Sequence, residues 1–74
     1  MRNYLVKLRN TIGETQEETA RAIGITRQYY GLIEAGERQK RMDISLAARI
    51  ASHFNISIEE IIQNEGEIAR AIAQ

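Results

Sequence analysis

Thr26 follows Gly24 by two residues, and no other feature of the chain constrains its fold so tightly. Glycine supplies the left-handed residue that stops a helix and threonine the hydroxyl that starts one, so two helices must be joined through Gly24-Ile25-Thr26 alone. The first opens on Thr15-Gln16-Glu17-Glu18, a capping box in which the Thr15 hydroxyl accepts from the amide three residues on while Glu18 reaches back. It runs from Gln16 to Ile23 with Ala20 and Ile23 inward, and its partner runs from the Thr26 cap to about Glu34, before Gly36. Helices this short, joined this tightly, cross steeply, and Ala20 is small enough to let them approach.

The same punctuation continues on both sides. Leu5, Leu8 and Ile12 place a first helix over Asn3 to Ile12, stopped by Gly13. After the polar stretch Glu37-Arg38-Gln39-Lys40-Arg41, Asp43 caps a fourth helix whose Ile44, Ala47, Ile50, Ala51 and Phe54 repeat at helical spacing and form the centre of the core. Asn55 suits its left-handed end. Ser57-Ile58-Glu59-Glu60 is a second capping box, with Ile56 and Ile61 as its hydrophobic staple, and opens a fifth helix. Asn64 to Gly66 then interrupts, and Ile68, Ala69, Ala71, Ile72 and Ala73 read as a further short helix or a frayed end. No strand-like alternation appears. The chain reads as all-α, with five helices in a domain over residues 1–64 and a C-terminal tail, helical or frayed, over residues 65–74.

A chain of 74 residues buries only about 60% of the surface its unfolded form exposes, too little to support an enclosed active site or a long catalytic loop. Cysteine is absent, and a lone His53 has no nucleophile, relay or ligand partner near it in sequence, so neither catalysis nor a metal or cofactor is expected. Lys7 sits where a signal peptide needs its apolar centre and no apolar run is long enough for a membrane span, which implies a cytoplasmic protein. The zero net charge hides an asymmetry: residues 1–54 carry nine Lys or Arg against six Asp or Glu, and residues 55–74 carry Arg70 against Glu59, Glu60, Glu65 and Glu67. A local basic face, which is what phosphate binding needs, remains open.

Geometry alone fits a helix that enters a DNA major groove and an ordinary helical hairpin equally well. The residues add a resemblance. Leu8-Arg9, Thr15-Gln16-Glu17-Glu18-Thr19-Ala20, Gly24-Ile25-Thr26-Arg27, Ile33-Glu34-Ala35-Gly36 and the Ile50-Ala51 to Phe54-Asn55-Ile56-Ser57 run resemble the lambda-repressor-like helix-turn-helix domain of phage repressors, Cro proteins and Xre-type regulators. The likeness covers residues 4 to about 62. Glu14 and Thr19 stand where that family usually has apolar residues, and the loop from Glu37 to Met42 is longer and lacks the common proline.

The resemblance implies that the third helix reads bases, with Arg27, Gln28 and Leu32 at base-facing positions. Arg27 opposes the macrodipole in a first helical turn, which suits an outside anion or a guanine edge as well as plain solvation; Gln28 can pair with adenine, and Leu32 can touch a thymine methyl or rim the core. Gly31 exposes backbone in mid-helix and allows close approach to DNA. The family's glutamine at Gln16 bonds a phosphate and braces the reading helix. Thr15, Thr26, Tyr29, Arg38, Lys40 and Arg41 complete the phosphate-contacting set, the last three as a charge run beside the reading helix and Tyr29 through its hydroxyl. Tyr30 reads as core with its hydroxyl at the edge, and Arg9 and Glu34 are the family's structural ion pair. The implied function is sequence-specific regulation of transcription, most simply repression, on two-fold related half-sites of double-stranded DNA. A homodimer would be joined by Ile58, Ile61, Ile62, Ile68 and Ile72. The alternative is an antitoxin or anti-repressor that uses the same fold chiefly to hold a protein partner.

Overall fold

The computed structural model describes residues 1–73, with side chains described through residue 70. Five α-helices are present and, among the described residues, no strand. They fall into two compact units, Met1–Lys40 and Arg41–Gln74.

The first unit holds α1 (Asn3–Thr11), α2 (Gln16–Ile23) and α3 (Arg27–Ala35). Its boundaries are local chemistry. Thr15 Oγ1 accepts from the Glu18 amide at 3.1 Å and the Thr15 amide donates to Glu18 Oε1 at 2.8 Å, closing the capping box. Gly24 ends α2 at φ +78°, and the Thr26 hydroxyl accepts from the Tyr29 amide at 3.1 Å to start α3, which Gly36 closes at φ +81°. α3 packs on both α2 and α1. Leu5, Ala20, Ile23, Tyr30 and Ile33 are buried, and each fully buried large aliphatic among them contributes about 1.5–3 kcal/mol by leaving water. Ile12, expected on the inner stripe of α1, lies one residue past the helix end and is exposed, because the chain has already turned toward Gly13.

The second unit holds α4 (Ile44–Phe54) and α5 (Ile58–Ala73), which pack on each other. Asp43 Oδ1 accepts from the Leu46 amide at 2.7 Å, Asn55 takes the left-handed conformation at φ +57°, and the Ser57 hydroxyl accepts from the Glu60 amide at 3.2 Å. Leu46, Ala47, Ile50, Ala51, Phe54 and Ile61 are buried. Ile44 is not part of that core: it is 78% exposed. Ile44 lies within about 20° of buried Ala51 around the helix, but it stands in the first turn, ahead of Leu46, where the buried run of α4 begins.

Nor does Gly66 interrupt the chain. α5 continues through Asn64, Glu65 and Gly66 as one helix, the Asn64 side-chain amide donating back to the Glu60 carbonyl at 2.8 Å. A mid-helix glycine costs only about 1 kcal/mol relative to alanine, and the spacing of Ile61, Glu65 and Ile68 keeps one face in register across it.

Candidate nucleic-acid interface

α3 divides its side chains by face. Arg27 and Gln28 are exposed, whereas Tyr30, Ile33 and Glu34 are buried and Leu32 is half-buried. Among the described residues the side chains of Arg27 and Gln28 make no hydrogen bond or ion pair, so both are available to an outside group. They line a shallow, open depression with Glu17, Arg21 and Ile25, and Arg27 also borders a second one formed by the Gly13 to Glu17 segment with Arg9 and Asn10. Glu17 and Arg21, passed over in the sequence, are therefore neighbours of the exposed face; they form an exposed pair at 3.7 Å, one helical turn apart.

Behind that face, one carboxylate joins three helices. Glu34, 2% exposed, accepts from Arg9 Nε at 2.9 Å, from Arg9 Nη2 at 3.3 Å and from Gln16 Nε2 at 3.0 Å. Arg9 Nη1 also reaches the Glu14 carbonyl at 3.1 Å. Burial works against the Glu34 charge, but the hydrogen bonds from Arg9 and Gln16 outweigh it and hold the carboxyl below the usual range. The Tyr30 hydroxyl is fully enclosed instead of lying at an edge; burial first, then the nearby Glu34 carboxylate, pushes its ionisation far above the ordinary tyrosine range. Gly31 faces this network: a Cβ built there would lie 3.5 Å from Gln16 Oε1, so the space beside the glycine holds the Gln16 amide.

The phosphate candidates lie in different settings. Thr15 and Thr26 are exposed and occupied as N-caps, and Gln16 is half-buried at the N-terminus of α2. Tyr29 is half-buried, its hydroxyl accepting from Gln39 Nε2 at 2.7 Å. Arg38 and Lys40 are exposed on the loop after α3. Arg41, also exposed, opens the second unit.

Arg2 has no counterpart in the sequence reading. It is 3% exposed; its amide donates to the Glu34 carbonyl at 2.7 Å, and its guanidinium donates to the carbonyls of Ile33 at 2.7 Å, Arg38 at 3.1 Å and Gln39. These partners lie more than thirty residues along the chain, beyond the reach of any local pattern. A cation at the end of α3 also complements its macrodipole.

Of the residues expected to join two copies, Ile62 is 58% exposed, and Ile58 and Ile68 are half-buried. Ile61 is withdrawn from that set, because it is fully buried within the single chain and has no surface to offer. The Ile72 side chain lies outside the described residues. No helix among the described residues is long and apolar enough to cross a membrane.

A family model described as helix-turn-helix matches residues 5–61. The chain is similar to the uncharacterized HTH-type transcriptional regulator YqaF of Bacillus subtilis, at 36% identity over 82% of this chain and 83% of that protein. It is likewise similar to the uncharacterized HTH-type transcriptional regulator YgzD of the same organism, at 31% identity over 90% of this chain and 98% of the relative. No solved structure matches.

Proposed function

We propose that this chain, which belongs to the lambda-repressor-like helix-turn-helix family of transcriptional regulators, binds specific double-stranded DNA as a cytoplasmic, non-enzymatic repressor whose α3 enters the major groove. The observation that carries the reading is the divided face of α3: Arg27 and Gln28 free and exposed in its first turn, Tyr30, Ile33 and Glu34 locked behind them. A free guanidinium and a free carboxamide suit guanine and adenine edges, with Leu32 following along the helix toward a thymine methyl. Gln16 spends one amide proton on Glu34 and keeps a second for a phosphate, beside the amides at the start of α2. Thr15, Thr26, Tyr29, Arg38, Lys40 and Arg41 supply the remaining backbone contacts.

One copy makes few base contacts, so two copies would read half-sites centred about one DNA turn, roughly 34 Å, apart. Residues 1–64 form the DNA-binding domain in this reading, and residues 65–74 extend the surface that joins the copies. Ile62 and Ile58, four residues apart on α5, give that surface an apolar stripe, with half-buried Ile68 farther along the helix. Selection of bound duplexes from a random DNA pool tests the function. Enrichment of one short motif in two-fold related pairs is the expected result; a pool without enrichment, alongside tight capture of a toxin-like or anti-repressor protein, would favour the protein-binding role instead.

A further inference from the structure

We infer that Arg2 is a positioning residue for DNA binding: it clamps the loop after α3 so that Arg38 and Lys40 stand at fixed places beside the reading helix. This inference rests on the proposed DNA-binding function and adds to it a residue with no expected nucleic-acid contact of its own.

The last carbonyls of a helix have no partner within it, and the negative end of the macrodipole gathers there. Arg2 meets both needs for α3. Its backbone amide takes the Glu34 carbonyl, and its guanidinium takes Ile33 in the helix together with Arg38 and Gln39 in the loop. A planar fork with five donors and a permanent charge can tie a helix end to two loop carbonyls at once; an ammonium presents a single point of charge.

Gln39 is held at its other end as well. Its backbone is left-handed at φ +55°, a conformation that non-glycine residues adopt only when their surroundings impose it, and its side-chain amide donates to the Tyr29 hydroxyl in α3 at 2.7 Å. Arg2 grips the carbonyl and Tyr29 the carboxamide. Arg38 and Lys40, on either side of Gln39, are thereby presented by a loop ordered before any phosphate arrives. A loop ordered in advance spares binding the entropy of fixing it.

The test compares the full chain with Arg2→Met and Gln39→Gly. Binding to a short mixed-sequence DNA duplex is titrated against salt at a temperature where circular dichroism shows each protein folded, and amide hydrogen exchange is followed at residues 37–40 without DNA. The expected result is faster exchange of the Arg38 amide, which donates to the Leu32 carbonyl, in both variants, with a salt slope lowered by about one to two units in Arg2→Met and about one in Gln39→Gly, at roughly 0.9 per phosphate contact. Exchange and slope equal to wild type in folded Arg2→Met would reduce Arg2 to a helix cap and overturn the inference. Arg2→Lys, which keeps a cation at the helix end without the fork, decides the matter by the same two readouts if Arg2→Met does not fold. A wild type that leaves the duplex unbound at low salt defeats the proposed function instead, and the exchange rates still judge the clamp.

Discussion

The Gln16 side-chain amide donates to Glu34 Oε1 at 3.0 Å, linking the first residue of α2 to the last turn of α3. Glu34 also takes the Arg9 guanidinium, so the first residue of α2 and a residue in α1 share one buried carboxylate. The buried side of α3 is thereby tied to α1 and α2, opposite its exposed face.

Removing that carboxylate should damage stability without altering the exposed face of α3. Glu34→Ala leaves the Arg9 guanidinium, 15% exposed, without its ion pair, and should cost about 3 kcal/mol. Denaturant unfolding measures the loss, and a binding-site selection on the folded fraction should return the wild-type consensus.

Acid should act through the same group. Glu34 titrates below its usual 4.5 in the folded chain, so between that lowered value and 4.5 the unfolded chain binds more protons and stability rises with pH. The contribution is complete above about 4.5 and is lost as pH falls through the folded value. Thermal midpoints measured from neutral pH down to about 3 should fall more steeply below that point in wild type than in Glu34→Gln; parallel curves would contradict the assignment.

Gly31→Ala separates two uses of a small residue. The added methyl would meet Gln16 at 3.5 Å, an ordinary contact, so the variant should fold and gain roughly 0.5–1 kcal/mol from the better helix former. DNA affinity should change by less than about threefold, well under 1 kcal/mol. A collapse of affinity with stability intact would mean that the glycine serves close approach to DNA after all.

Glu14 and Thr19, the two polar residues at positions apolar in the family's pattern, answer each other: the buried Thr19 hydroxyl donates to Glu14 Oε1 at 2.7 Å. Glu14→Leu alone should cost about 1 kcal/mol by stranding that hydroxyl, while Glu14→Leu combined with Thr19→Val should match or exceed wild-type stability. Thermal denaturation of the single and double variants distinguishes the two outcomes.

What could be read from the sequence follows from the range of the interactions. Thr15, Thr26 and Asp43 accept from amides, and Gly24 donates to carbonyls, within four residues of themselves, and α2 runs between the residues its caps imply. Helix faces were legible where several apolar residues agreed, as at Tyr30 and Ile33 or Ala47 and Ile50, and not where an isoleucine stood at an end or a flank. Ile12, Ile44 and Ile61 illustrate this, since period alone does not say where neighbouring helices begin to cover a face. Gly66 resembles a stop, yet the capping geometry that would make it one is absent and the stripe of α5 runs past it. Arg2 and the Gln39–Tyr29 bond were invisible because they depend on how the chain returns to its own start.

The central claim is that the first turn of α3 reads bases. The most direct measurement is a binding-site selection run side by side on wild type and the Arg27→Ala, Gln28→Ala double variant, both of whose changed side chains are exposed. Each good bidentate base contact discriminates by about 1–3 kcal/mol, so the variant should lose preference at one or two positions of each half-site while its thermal midpoint and non-specific affinity stay near wild type. An identical consensus from both proteins would contradict the account, and the third helix would not be the reader.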